Sequence, residues 1–247
     1  MRVADDHAVA EYAAQAAGRE LLRLRERAAG AADLRARGDA LGQQVLQELL
    51  GALRPDDAVL SEEAADDPAR LTASRVWIVD PLDGTREFGE PPRPDWAVHV
   101  ALWADGDLVA GAVALPALGV TVGTAEPPPP PAHRPGRSRI AVSRTRPPVE
   151  ATAAAGALDA ELVPMGSAGA KVVAVVRGEV DAYVHAGGQY EWDSAAPVAV
   201  ARAAGLRACR LDGSELRYNR TDVRVPDLLV SRPGIADAVL AAVAGAR

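Results

Sequence analysis

Pro55 divides this chain of 247 residues between two hydrophobic periods, and that change constrains its fold more than any other feature. Upstream, residues 3–29 are rich in Ala, Leu and Arg and contain no proline, as a helix requires. Leu41, Val45, Leu46, Leu49, Leu50 and Leu53 then recur at helical spacing until Pro55 stops the pattern. Downstream, residues 58–60 and 76–79 are short apolar or β-branched runs that end in acidic residues, which predicts strands with carboxylates at their tips. Trp96, Val98, Val100 and Leu102 fall on one face of a further strand. Asp105-Gly106 marks a hairpin into residues 108–115, and residues 120–122 add another strand.

The proline tract 127–131, followed by Arg134-Pro135-Gly136, is the sharpest break in composition. It predicts a surface loop or hinge between two lobes, residues 1–132 and 133–247, that act as one functional unit. Beyond it the pattern alternates. We expect a strand near Ile140, helices over 147–156 and 167–177, a strand over 180–185, a helix over 193–204, a strand over 228–230 and a last helix after Pro233. The chain is therefore of mixed α+β class, with strands flanked by helices. One Phe, four Trp and four Tyr leave the core to Ala, Val, Leu and Ile.

Charge and composition exclude several partners. A formal net charge of −7 repels polyanions, so neither a nucleic acid nor an anionic membrane surface is expected as a partner. The scarcity of aromatic rings removes base-stacking platforms as well. Cys209 has no second cysteine to pair with, the amino terminus has no apolar stretch like a signal peptide, and no apolar run approaches a membrane span. A reducing cytoplasm is the expected location.

Three segments carry the chemistry: Ser61-Glu62-Glu63, Asp80-Pro81-Leu82-Asp83-Gly84-Thr85, and Trp192-Asp193-Ser194. In the middle one, Pro81 keeps the backbone out of a regular ladder or helix. Asp80 and Asp83 are then free to turn toward one point, with the Leu82 carbonyl left to ligate. Crowded carboxylates raise one another's pKa unless cations compensate them, and oxygen-only ligands favour Mg2+ or Mn2+. A zinc site is unsupported, because there is no cysteine cluster and His7, His99, His133 and His185 are widely scattered. Gly84 and Thr85 stand where a helix or turn begins, so their N–H groups point at a phosphate oxygen while the Thr85 hydroxyl orients a water. Ions shared by Glu62, Asp80, Asp83 and Asp193 would then support phosphate-ester hydrolysis.

Taken singly, each segment has a plainer explanation: Asp-Gly-Thr as a turn and cap, the paired glutamates as a solvated loop, Asp193 as an N-cap. Their joint occurrence in this order is what singles them out. Together they resemble the signature of the magnesium-dependent, lithium-sensitive inositol monophosphatase superfamily over most of the chain. Thr85-Arg86-Glu87-Phe88 and Arg217-Tyr218-Asn219 are most similar to its CysQ-type branch, the 3′(2′),5′-bisphosphate nucleotidases, in their actinobacterial form.

The resemblance implies a layered α-β-α-β-α sandwich. Metal ligands would fall on Glu62, Asp80, the Leu82 carbonyl, Asp83 and Asp193, for two or three Mg2+ with Mn2+ as a substitute. Glu63 and Thr85 would place and activate the water, and Asp39, six residues after Asp33 and ahead of the second helix, would add a ligand or water contact. Gly84, Thr85, Arg86, Ser143, Arg144, Ser167 and Lys171 would meet substrate, with Arg144 and Lys171 as charge partners of a second phosphate. Tyr218 is either a neighbour of adenine or a half-buried core tyrosine.

The implied reaction removes the 3′-phosphate of adenosine 3′,5′-bisphosphate to give AMP, and acts on its sulfated form in the same way, relieving product inhibition in sulfate assimilation. A small phosphorylated nucleotide is thus the expected partner, and a homodimer is left open. Two departures stand out. Ala186 occupies the place of a glutamate that holds inositol hydroxyls, and Ala36-Arg37-Gly38-Asp39 lacks the family's usual threonine. The alternatives are a broad inositol or fructose 1,6-bisphosphate phosphatase and, in a different class, a non-catalytic anion-binding domain.

Overall fold

The structure, a computed structural model, describes residues 5–130, 132 and 135–245. Helix α1 (Asp6–Arg27) starts where the Asp5 carboxylate accepts the Ala8 N–H at 2.7 Å, and α2 (Leu34–Leu53) follows it. Both lie on one face of a five-stranded sheet in sequential order: β1 (Ala58–Ser61), β2 (Arg75–Asp83), β3 (Ala97–Ala104), β4 (Asp107–Leu115) and β5 (Val120–Gly123). The β1–β2 pair is parallel and the rest antiparallel. A second five-stranded sheet has the order β7 (Glu161–Met165), β6 (Arg139–Ser143), β8 (Ala182–Tyr190), β10 (Arg224–Ser231), β9 (Arg207–Cys209).

Side-chain alternation assigns each face to a layer. Trp77 and Val79 of β2, with Trp96, Val98, Val100 and Leu102, pack against α1 and α2, so the predicted face of that stretch is the observed one. Val76 and Ile78 point the other way, into a core shared with α5 (Ala168–Val176) and α6 (Glu191–Ala203). Tyr183, Leu228 and Val230 close that core from the second sheet, whose outer face (Ala182, Val184, Leu229) is covered by α4 (Val149–Ala157) and α7 (Pro233–Ala244). Three apolar clusters thus fill the spaces of an α-β-α-β-α sandwich, and the expected layering is the one found. The central helix α6 packs on β2, β3 and β4 as well as on the second sheet, so residues from beyond the proline tract complete the core of the first half.

Several boundaries differ from expectation. Helix α2 begins at Leu34, which puts Asp39 inside the helix and not ahead of it. Strands β7 and β9 were not anticipated. β8 runs on to Tyr190, and α6 begins at Glu191, two residues earlier than expected. Of the expected hinge, Pro131, His133 and Arg134 lie outside the described residues, as does the beginning of the first predicted helix; residues 127–130 have no regular structure. Among the described residues no helix is long and apolar enough to cross a membrane.

The near end of β2 is held by charge. Arg75 binds Asp57 through Nε (2.8 Å) and Nη2 (3.0 Å), and binds Asp6 through Nη1 and Nη2 (3.1 and 2.9 Å). Arg54 adds a bond to Asp6 at 2.9 Å, and the Trp77 indole donates to Asp57 at 2.8 Å. The Arg75 and Arg54 bonds keep the Asp6 carboxyl below the usual range even though burial opposes them.

Candidate active site

The far end of β2 is where the ladder breaks. Residues three apart point to opposite faces of a regular strand, so Asp80 and Asp83 should face apart. Instead Asp80 pairs with His99 while Asp83 pairs with Ala97, so three steps along β2 match two along β3. The additional residue is a β-bulge, and it brings both carboxylates to the face that meets the central helices. Leu82 turns to the α2 side. There α2 comes so close that a β-carbon on Gly42 would lie 2.8 Å from the Pro81 carbonyl oxygen, so glycine is required at that crossing.

Asp83 is cradled by the start of α5. Its Oδ2 accepts from the Ser167 hydroxyl at 2.5 Å and the Gly169 N–H at 2.8 Å, and lies 3.1 Å from His99 Nε2. His99 is fully buried on β3, with Nδ1 3.1 Å from the Trp192 carbonyl oxygen. Burial pushes the Asp83 carboxyl up, but His99, Ser167 and Lys171 outweigh it and hold the group below the usual range. Lys171 is buried on α5, donating to the carbonyls of Gly166 (2.5 Å) and Ser167 (2.8 Å). Burial lowers its pKa to about 8.

Asp193 arrives from α6. It stands at the third helical position, so it is not the N-cap; one oxygen closes back on the Tyr190 N–H at 2.7 Å. Asp80, Asp83 and Asp193 each offer an oxygen, and these oxygens lie within 4.8 Å of one another. Glu62, on the loop after β1, stands outside that trio, with Asp80, Asp83 and Asp193 among its charged neighbours. Burial, then the neighbouring carboxylates, push Glu62 and Asp193 up to about 7, and Asp80 well above its ordinary value. Asp80 also accepts the Leu82 N–H at 3.0 Å. A hard, oxygen-only donor set with excess negative charge fits a divalent cation such as Mg2+.

Gly84, in the left-handed region at φ 86°, turns the chain into the single-turn helix α3 (Thr85–Phe88). The Thr85 hydroxyl lies 3.0 Å from Asp39 Oδ1 and 3.1 Å from the Leu82 carbonyl oxygen, so that carbonyl already has a donor in reach. Burial raises the Asp39 carboxyl, the Thr85 bond lowers it, and the Glu63 charge raises it again. Glu63 itself is exposed on the rim.

A cavity of about 230 Å³ opens beside Asp83 and Asp193, lined among others by Arg86, Ser143, Arg144, Lys171 and His185. Arg144 is engaged there by Glu87 (2.5 Å) and Glu90 (2.7 Å). Tyr218 is not gathered with these residues. It is buried in the central core with its hydroxyl 3.2 Å from Ser194, which is the core alternative. Sequence reasoning passed over His99 as one of several scattered histidines. The available signal was its place on the same face of β3 as Ala97, opposite the Asp-Pro-Leu-Asp bulge.

Comparison with known proteins adds to this geometry. A sequence model described as the inositol monophosphatase family matches residues 3–246. A 3′-phosphoadenosine 5′-phosphate phosphatase from Mycobacterium bovis is 54% identical, over 85% of this chain and 81% of that protein. A protein of the same name from Mycobacterium leprae is 51% identical, over 95% and 92%. Among solved structures, CysQ from Bacteroides thetaiotaomicron, described as a bacterial member of the inositol monophosphatase family, superimposes with a TM-score of 0.78 at 26% identity, covering 92% of this chain and 97% of that one.

Proposed function

The chain belongs to the inositol monophosphatase family, and on that premise we propose that it is a magnesium-dependent 3′(2′),5′-bisphosphate nucleotidase. Its substrate is adenosine 3′,5′-bisphosphate, which it converts to AMP and phosphate, and it acts on the sulfated form in the same way. One observation carries the chemistry: oxygens of Asp80, Asp83 and Asp193, from two distant parts of the chain, within 4.8 Å of one another. The names of the mycobacterial relatives support the nucleotide. Ala186, on β8, offers no carboxylate to the hydroxyls of an inositol ring, which weighs against that substrate.

Asp80, Asp83, Asp193, Glu62 and the Leu82 carbonyl would hold the ions. Bound there, Mg2+ polarises the phosphoryl oxygens and lowers the pKa of the attacking water. Thr85, donating to Asp39, turns an oxygen lone pair toward that water, and Glu63 accepts a second hydrogen bond from it at the rim. Gly84, Thr85 and Arg86 face the reacting phosphate. Lys171 has two of its three protons taken by carbonyls, leaving the third for the other phosphate beside Ser143 and Arg144. Ser167 serves the reaction by fixing Asp83.

Phosphate release from adenosine 3′,5′-bisphosphate, inositol 1-phosphate and fructose 1,6-bisphosphate, each with and without Mg2+, tests the proposal. The nucleotide should be turned over fastest and only with the metal. Equal or faster turnover of inositol 1-phosphate would overturn the substrate.

A further inference from the structure

Arg70, on the one-turn helix Pro68–Thr72 that follows the Glu62-Glu63 loop, is 1% exposed. A guanidinium this deep needs every donor occupied. Nε and Nη2 form a fork on Asp66 (2.6 and 2.9 Å), Nη1 donates to Asn219 Oδ1 at 2.7 Å, and Nη2 also reaches the Arg220 carbonyl oxygen at 2.9 Å. Asn219 returns a bond from Nδ2 to the Arg70 carbonyl oxygen at 3.2 Å. It is held in the left-handed region, φ 56°, where asparagine is among the better-tolerated residues. The chain continues through Glu191, also 1% exposed, whose two oxygens accept the N–H groups of Asn219 (2.8 Å) and Arg220 (2.9 Å). Glu191 is the first residue of α6 and stands two positions before Asp193.

These bonds form an unbroken path from the loop that carries Glu62 to the helix start that carries Asp193, through segments 149 and 28 residues apart. None of Asp66, Arg70, Glu191 and Asn219 lines the cavity beside Asp83. We infer that Arg70, Asn219 and Glu191 are positioning residues that fix the Glu62 side of the cation site against Asp193. They set the affinity for the metal without touching the nucleotide. The inference rests on the metal-site reading above.

The test is calorimetric titration of Mn2+ into the full chain without nucleotide, for the wild type, Arg70→Met and Asn219→Gly. Glycine at 219 keeps the backbone conformation while removing the side-chain bonds. Arg70→Met should weaken Mn2+ binding by about tenfold or more, as loss of hydrogen-bonded support behind metal ligands does. Asn219→Gly should weaken it less. In both, the metal concentration for half-maximal turnover should rise in parallel, while KM for the nucleotide at saturating metal stays within about twofold and kcat recovers. A merely structural role would lower the melting temperature and scale activity equally at every metal concentration. Mn2+ affinity within about twofold of wild type in both variants would overturn the inference. If Arg70→Met does not fold, Asn219→Gly decides alone by the same criterion. No Mn2+ binding by the wild type would overturn the metal-site reading itself, a result distinct from equal binding by wild type and variants.

Discussion

The two ends of β2 hold carboxylates under opposite conditions. At the near end Asp6 and Asp57 are met by Arg75, with Arg54 reaching Asp6 and the Trp77 indole reaching Asp57, and Asp6 is held acidic. At the far end Asp80, Asp193 and Glu62 meet mostly one another and are pushed up. The difference separates a charge cluster that is complete from one that is not. Arginine could have neutralised the second cluster as it did the first. Among the described residues none does so there, and with three convergent oxygens the charge is left for a ligand to balance.

The comparison breaks first at the carboxylates themselves. Asp80→Asn and Asp193→Asn should each lower turnover by more than about a hundredfold, since even hydrogen-bonded support behind metal ligands is worth about 10- to 100-fold. The metal-free variants should melt no lower than wild type, because repulsion has been removed; unchanged turnover in either would refute the assigned role. Next, chelation should reduce turnover to background and Mg2+ should restore it. The ion should also raise the melting temperature, by an amount equivalent to about 2.7 kcal/mol at a hundred times its Kd.

The third prediction concerns pH. In the metal-stripped protein Glu62 and Asp193 keep their protons to about pH 7, whereas in the unfolded chain they release them near their ordinary values of 4.5 and 3.8. The folded state then binds more protons across that window, so stability should fall as pH rises from about 4 to about 7 and level off above it. Asp6, depressed in the fold, contributes with the opposite slope, losing its stabilisation as pH falls below its ordinary 3.8. Melting curves at pH 5 and pH 8 check this: the metal-free protein should be the weaker at pH 8, with Mg2+ closing most of the gap. An equal melting temperature at both pH values without metal would remove the contrast. The smallest effect belongs to the near end. Arg75→Met should cost about 1–2 kcal/mol in denaturant unfolding, the range for a partly exposed fork to two carboxylates, with kcat unaltered.

Much of this was legible in the chain because periodicity and turn chemistry act locally. The face Trp96, Val98, Val100 and Leu102 and the Asp105-Gly106 hairpin needed no tertiary information. The three acidic segments were legible as chemistry, and their convergence was legible through resemblance. Strand β7 was missed because Pro164 and exposed Glu161 disguise an edge strand, and β9 because it has only three residues. The start of α2 was placed too late because Arg35, Arg37 and Asp39 interrupt the apolar spacing that identified the rest of the helix. Arg70 and Glu191 lay beyond reach for a different reason. Each acts through a partner far away in the sequence, and a lone buried polar residue leaves no periodic trace.

The bulge in β2 has one more consequence. Where the strand lets go of its neighbour, the stray Leu82 N–H is taken up by Asp80, a residue of the proposed cation site, and the Leu82 carbonyl oxygen lies 3.1 Å from the Thr85 hydroxyl. On the proposed function, the site therefore doubles as a patch for a hole in the sheet. An asparagine at position 80 can still mend that hole after losing the charge, whereas an alanine would leave an orphaned amide, so apolar replacements there would report on folding before they reported on catalysis.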